Sequence, residues 1–195
     1  MPISARDKLV ESATQELGTQ GVFATSLDAI RRRAGVSTGS AYHHFPRGMV
    51  GVSAEVYRST LLEYQEGAAE VLNHASSAQR SVGDAVVHLL TWIESHPARA
   101  QLLYQLENAV DPAVLAGAPQ PLGDAIDAWI DRFGTATAGD DRAQLLALWT
   151  GPAKEYGRMW TRDRQLAPPT AMGEPFAHAA WHCVKPFVRT RRRAP

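Results

Sequence analysis

Residues 25–46, with the sequence TSLDAIRRRAGVSTGSAYHHFP, contain two short helical patterns separated by one glycine. Ser26 and Ser37 each precede a run with helical spacing, and serine is a favoured residue immediately before a helix. Gly35 lies between the two runs, where a glycine ends a helix and permits a tight turn. The pattern predicts a helix-turn-helix, whose second helix must project from the protein to enter a major groove about 12 Å wide.

The second helix of this motif carries small and polar residues that suit contact with DNA. Small side chains permit a close approach of the backbone, and hydroxyl, phenol and imidazole groups can bind phosphates or base edges. We predict DNA contacts from ten residues: Thr25, Ser26, Ser37, Thr38, Gly39, Ser40, Tyr42, His43, His44 and Arg47. The apolar clamp expected to hold the helix consists of Leu27, Ile30, Ala34, Val36 and Tyr42.

This stretch resembles the DNA-binding segment of the TetR family of transcriptional regulators. The resemblance is carried by LDAI at 27–30 and AGVSTGSAYHHFP at 34–46, by GVFATS at 21–26, and covers about residues 6–60. It implies an all-α homodimer whose two reading helices meet successive major grooves of a near-palindromic operator. It also implies that a ligand bound in a larger helical domain changes the separation of the reading heads and releases DNA.

The chain departs from the family pattern at two positions. Arg31 follows Ile30, where the family usually has a small residue that faces the next helix closely. We expect Arg31 to extend outward or to loosen this packing. The lysine that the family usually carries at the start of the fourth helix is missing from 45–49, FPRGM, where Gly48 or Met49 takes its place. Arg47 is expected to supply this charge from a shifted position.

Helical patterns dominate the rest of the chain, and no alternating run of β-branched residues indicates a strand. We predict an all-α protein with about nine helices, comprising an N-terminal three-helix helix-turn-helix domain and a C-terminal helical ligand-binding and dimerisation domain. Besides the two helices of the motif, helices are expected from Ser4 to about Gly18 and near 49–73, 79–95, 97–110, 122–136, 140–162 and 174–189. The domains are predicted at 1–48 and 49–195, with Phe23 packed on the first helix and a kink at Gly151-Pro152.

The formal net charge is zero, but the charges are unevenly distributed. Residues 1–50 contain six basic and four acidic side chains, which favours contact with a polyanion. Residues 185–195 contain five basic side chains and no acidic one, and we expect 189–193 to form a solvated tail. The lone Cys183 excludes an internal disulfide, and no signal peptide or membrane span is apparent, so a cytoplasmic protein without membrane contact is expected.

Aromatic residues are the main feature of the predicted C-terminal domain. Large apolar rings with one polar edge suit a pocket for an apolar or aromatic molecule. The predicted ligand contacts are His88, Trp92, Tyr104, Trp129, Trp149, Tyr156 and Trp160, although each of these residues also fits an ordinary core or a dimer interface. Residues 140–189 are expected to carry the dimer interface, because Ala177, Ala180, Val184 and Val188 suit close helix packing.

Motifs for catalysis and for cofactors are missing from the sequence. It contains no H-E-x-x-H, G-x-S-x-G, P-loop or G-x-G-x-x-G pattern, so neither an enzyme nor a cofactor is expected. His178 and His182 are one turn apart and could share a metal ion, but no further ligand on that helix completes a site, and no metal is expected. We predict a ligand-responsive DNA-binding regulator, a repressor released from a palindromic operator by a small apolar or aromatic effector. Two alternatives stay open: a helical ligand-binding protein with vestigial DNA binding, and a regulator controlled by a protein partner.

Overall fold

The computed structural model describes residues 3–135 and 141–189. In these ranges the chain forms nine α-helices: α1 Ala5–Gln20, α2 Leu27–Ala34, α3 Thr38–His44, α4 Met49–His74, α5 Ala78–Ser95, α6 Pro97–Leu106, α7 Pro121–Phe133, α8 Arg142–Arg162 and α9 Gly173–Val184. Short 3₁₀ helices cover Pro112–Leu115, Pro169–Met172 and Lys185–Phe187. The described residues form no strand, only one isolated bridge between Gly134 and Val188, and the all-α prediction is confirmed.

The first three helices begin where the sequence predicts, because each start has a serine cap. The hydroxyl oxygens of Ser4, Ser26 and Ser37 accept hydrogen bonds from the backbone N–H three residues further on, at 3.1–3.2 Å. Each bond satisfies an N–H group that has no partner inside its helix.

The first compact unit comprises Met1–Glu63 and His96–Pro119. Its core brings together apolar side chains from α1, α2, α3, α4 and α6. The most deeply buried members are Leu9, Ala13, Leu17, Ile30, Ala41, Val52, Val56, Leu102 and Leu106. The predicted functional boundary between residues 48 and 49 falls inside this unit, because α4 begins within it, and the boundary stays a prediction.

The second compact unit comprises Tyr64–Ser95 and Gln120–Pro195. Within it α5 packs against α8 and α9, and α8 also packs against α9. The core is built from Val82, Val86, Leu90, Trp129, Leu145, Trp149, Ala153 and Val184. α8 is continuous through Pro152, which is exposed.

Several predicted details are wrong. Phe23 does not pack on α1: its side chain is fully exposed, and the neighbouring Val22 contacts the core instead. The helix expected over 97–110 ends at Leu106, and the one expected over 174–189 ends at Val184 in a 3₁₀ turn that contains Pro186. Proline supplies no backbone N–H, so the α-helical hydrogen bonding cannot continue through that turn.

Some expectations fall partly outside the described residues. The predicted helix end at residue 136, the helix start at 140 and most of the basic tail, 190–193, belong to this group. In the part of the chain that is described, every helix is too short or too polar to cross a bilayer.

Candidate DNA-binding surface

The turn between α2 and α3 depends on the left-handed conformation of Gly35. Its φ angle is 64°, and its N–H donates to the carbonyls of Arg31 and Arg32 at the end of α2. A Cβ built on Gly35 would have no described neighbour within 4 Å. The backbone angle, and not crowding, therefore favours glycine here, and it fixes the direction in which α3 leaves the turn.

α3 buries one side and exposes the other. Ala41 is fully buried, and Phe45, directly after the helix, is 5% exposed. The exposed side, called the reading face below, consists of Thr38, Gly39, Tyr42 and His43. Tyr42 is 53% exposed and does not belong to the apolar clamp in which the sequence analysis also placed it. Ala41 and Phe45 complete the clamp because they, and not Tyr42, lie on the helix side that faces α1 and α4.

The reading face offers what a groove-binding helix needs. A Cβ built on Gly39 would meet no described atom within 4 Å, so the backbone there is accessible from outside. The Thr38 hydroxyl, the Tyr42 phenol and the His43 imidazole provide hydrogen-bond donors and acceptors along the same side.

Three predicted DNA contacts before α3 also hold the motif together. The Thr25 hydroxyl donates to the Gly21 carbonyl at 2.9 Å, and the Ser26 and Ser37 hydroxyl oxygens cap α2 and α3. A capping oxygen accepts a hydrogen bond, so its own proton remains available to a phosphate. Ser26 and Ser37 can therefore combine both roles.

The other predicted contacts lie at the two ends of α3. Ser40 is half-buried, and its N–H is the donor to the Ser37 cap. His44 is half-buried, and its ring lies edge-on to that of His43, with 5.2 Å between the ring centroids. Arg47 is exposed in the turn after the helix, and within the described residues it forms no ion pair.

Gly48 explains one departure from the family pattern. Its φ angle is 57°, and its N–H donates to the Phe45 carbonyl at 2.9 Å, which closes the turn before α4. A lysine at this position would have to adopt a left-handed conformation that residues with a Cβ rarely adopt. The neighbouring Arg47 places a positive charge on this turn without that cost.

The three arginines of α2 are paired within the protein. Asp28 forms ion pairs with both Arg31 and Arg32, and Arg33 pairs with Glu16 of α1 at 2.9 Å. Arg31 is only 26% exposed, yet its guanidinium group reaches the exposed Asp28. The side chain thus extends outward along α2, which is the first of the two outcomes expected for this position.

The predicted ligand contacts do not form one cluster. Tyr104 belongs to the first compact unit, whereas the other six residues belong to the second. Trp129 and Trp149 are in contact at 4.8 Å, and their indole N–H groups donate to the Ser81 hydroxyl and the Val82 carbonyl. Both rings are almost completely buried, and their polar edges are satisfied by the core.

Two further predicted ligand residues have local partners. The Tyr156 hydroxyl donates to the Ala167 carbonyl at 2.8 Å, and the Tyr156 ring contacts Phe176. The guanidinium of Arg164 lies over the Trp160 ring at 3.8 Å from its centroid.

His88 and Trp92 are brought together by a residue that the sequence analysis missed. The Tyr64 ring of α4 stacks on His88 at 5.9 Å and contacts Trp92 at 5.3 Å. Burial raises the pKa of Tyr64 to about 12, so this phenol stays protonated at neutral pH. The signal was the i,i+3 spacing of Tyr64 and Gly67, since the small residue leaves room for a ring from α5.

The His88 ring is tightly enclosed by α4. A Cβ added to Gly67 would lie 2.8 Å from the His88 Cε1 atom, and the His88 Nε2 atom is buried without a hydrogen-bond partner. Burial is also the main cause that lowers the pKa of His88. An open groove of about 650 Å³ runs beside the ring and is lined by residues that include Val71, His74, Arg80, Asp84 and Thr91.

Comparison with known proteins agrees with the motif and the fold. Residues 9–47 match the family described as bacterial regulatory proteins, tetR family. No curated protein matches the chain.

Solved structures of similar fold cover most of the chain. A TetR-family regulator from Marinobacter aquaeolei has a TM-score of 0.74 at 13% identity, covering 95% of this chain and 96% of its own. The fatty acid degradation regulator FadR from Bacillus halodurans has a TM-score of 0.70 at 17% identity, covering 89% and 96%. FadR from Bacillus subtilis in complex with stearoyl-CoA has a TM-score of 0.66 at 14% identity, with the same coverage.

The matched segment contains α2, the Gly35 turn and α3, which are the elements that build the reading face. Members of the matched family are transcription regulators and not enzymes, in agreement with the sequence analysis. The chain, with its helix-turn-helix and its all-α architecture, therefore belongs to the TetR family of bacterial regulatory proteins.

Proposed function

We propose that the protein represses transcription by binding a near-palindromic operator through the reading face and is released by a small molecule. The observation that carries this proposal is the exposure of Thr38, Gly39, Tyr42 and His43 along one side of α3, next to the exposed Arg47. A rigid helix with small groups and hydrogen-bonding groups on its outer side suits the major groove. The ten predicted DNA contacts belong to this proposal.

A homodimer is part of the proposal, with the interface on 140–189. In its support, α8 and α9 expose apolar or small side chains, including Ala147, Met159 and Ala179. Two copies paired along these helices would present two reading faces to one duplex, which a palindromic site requires.

The effector is proposed to be apolar or aromatic and to bind near His88 and Trp92. The partnerless Nε2 atom of His88, the Tyr64 ring and the adjacent groove support this choice over the Trp129–Trp149 pair, whose polar edges are already satisfied. FadR of Bacillus subtilis, a structural neighbour, binds stearoyl-CoA, which contains a long apolar chain. Such a neighbour supports an apolar effector as a class and does not name the molecule.

The test is selection of bound duplexes from a random DNA pool, followed by a competition assay with acyl-CoA esters and aromatic compounds. We expect enrichment of a site with two-fold symmetry, and release by at least one compound class. Tyr42→Ala and Thr38→Ala should each weaken binding by about 1–3 kcal/mol at fixed salt while the protein stays folded. A pool without enrichment would favour the ligand-binding alternative, and enrichment without release by any compound would favour control by a protein partner.

A further inference from the structure

We propose that α9 carries a surface site for a transition-metal ion, formed by His178 and His182. The two residues are one helical turn apart and are both exposed. Their ring centroids lie 4.4 Å apart, with 42° between the ring planes. Two imidazoles this close on one side of a helix can be bridged by one ion with metal–nitrogen bonds of about 2.0–2.1 Å.

The His182 ring is already oriented for coordination. Its Nδ1 atom lies 3.0 Å from the His178 carbonyl, and because a carbonyl can only accept, the Nδ1 atom carries the proton of this hydrogen bond. The neutral ring then has its free electron pair on Nε2, which points away from the backbone. A backbone carbonyl bound to one imidazole nitrogen is the usual arrangement behind a metal-ligating histidine.

The ligand set determines the class of ion. Imidazole suits Zn²⁺, Ni²⁺ and Cu²⁺, whereas Mg²⁺ and Ca²⁺ prefer oxygen ligands. The described residues contain no group of three or more potential ligands, so the protein supplies two nitrogen ligands and water completes the coordination. Glu174, one turn before His178, is exposed and adds negative charge to the same end of the helix. The site is thus an open chelate of moderate affinity, and it is independent of DNA and effector binding.

His74 provides a matched control. It is exposed near the end of α4, and its Nδ1 atom lies 2.8 Å from the Glu70 carbonyl, which repeats the local geometry of His182. It has no histidine one turn away, so it lacks the second ligand.

The experiment is calorimetric titration of the untagged full-length chain with Ni²⁺ or Zn²⁺, for the wild type and for His178→Gln, His182→Gln and His74→Gln. We expect each of the first two substitutions to weaken binding about tenfold or more, and His74→Gln to leave it unchanged. Binding should also be lost at about pH 5.5, where protons compete for imidazole. Circular dichroism checks that the variants remain folded, which their exposed positions favour.

Two results would overturn the proposal: a wild-type chain that binds neither ion at millimolar concentration, or His178→Gln and His182→Gln variants that bind as tightly as the wild type. The stoichiometry distinguishes an ion held by each chain from one shared by two chains. Both arrangements need the histidine pair, and both therefore support it.

Discussion

Two glycines of the helix-turn-helix have different physical reasons to be glycine. Gly35 has a positive φ angle, whereas Gly39 lies inside α3 with ordinary helical angles and open space around it. Gly35→Ala should destabilise the protein by about 1–2 kcal/mol, because a Cβ in the left-handed region is strained. Gly39→Ala should leave the free energy of unfolding unchanged or raise it slightly, since alanine is the better helix former.

DNA binding should separate these two variants in the opposite sense. The added methyl group of Gly39→Ala projects from the reading face and should weaken operator binding by about 1–3 kcal/mol in a fluorescence anisotropy assay at fixed salt. Folded Gly35→Ala protein, measured well below its melting temperature, should lose less affinity. Equal affinity of wild type and Gly39→Ala would place the DNA contact elsewhere.

His88 should make the stability of the protein depend on pH. Burial lowers its pKa below the ordinary value of 6.5, so the folded chain binds this proton less readily than the unfolded chain. Its contribution to stability is complete above pH 6.5 and is lost as the pH falls below that value. Glu70, which acts in the opposite direction, is the acidic group that opposes the shift.

Denaturant unfolding of wild type and His88→Gln between about pH 5 and pH 8 measures this effect. The wild type should lose more free energy of unfolding on acidification than the variant, because glutamine does not titrate. Parallel curves would show that His88 has the same proton affinity in both states.

Sequence reasoning at the residue scale identified the motif but not all of its contacts. Ser26, Gly35 and Ser37 have local roles that their own neighbours define, so a pattern can predict them. The exposure of Phe23 and the position of Tyr64 depend on which distant side chains fill the adjacent space. Those partners are remote in sequence, and no local signal specifies them.

At the scale of elements, α4 and α5 approach closely because Gly67 faces His88. The rigid imidazole ring, stacked on Tyr64, has no room to move away from a new methyl group. Gly67→Ala should therefore lower the free energy of unfolding by about 1–3 kcal/mol, as overpacked sites do. Gly83→Ala is the control, since its Cβ would lie 3.6 Å from the Ala177 Cβ, an ordinary contact. A smaller loss for Gly67→Ala than for Gly83→Ala in urea unfolding would contradict this account.

Helix starts were easier to predict than helix ends. A serine cap is a local device, and the starts of α1, α2 and α3 follow it closely. α6 and α9 end earlier than their periodicity suggests, at Leu106 and Val184, because each passes into a turn. Apolar periodicity continues through such turns and does not report the change in hydrogen bonding.

At the scale of the whole molecule, the proposed dimer makes Met159 a test position. Its side chain is 47% exposed on α8, inside the region predicted to pair with a second copy. Met159→Glu should raise the dimer dissociation constant about tenfold or more, which corresponds to about 1.4 kcal/mol, because a charge in that interface is desolvated without a partner. Light scattering at micromolar concentration measures the shift toward monomer.

Val50→Glu is the matched control for this prediction. Val50 is similarly apolar and 59% exposed, but it lies at the start of α4, outside 140–189. A wild-type chain that is monomeric, or a Val50→Glu variant that dissociates as readily as Met159→Glu, would contradict the proposed interface.

The pairing of Arg31, Arg32 and Arg33 with acidic neighbours limits how this regulator can hold on to DNA. Cations already balanced inside the protein displace few counterions from a duplex, and each phosphate neutralised contributes a slope of only about −0.9 to the dependence of log affinity on log salt. Within the described part of the motif, Arg47 is left to make such a contribution. The protein should consequently spend little time on random genomic sequence, and its occupancy of a cognate site should change little when the ionic strength of its surroundings changes.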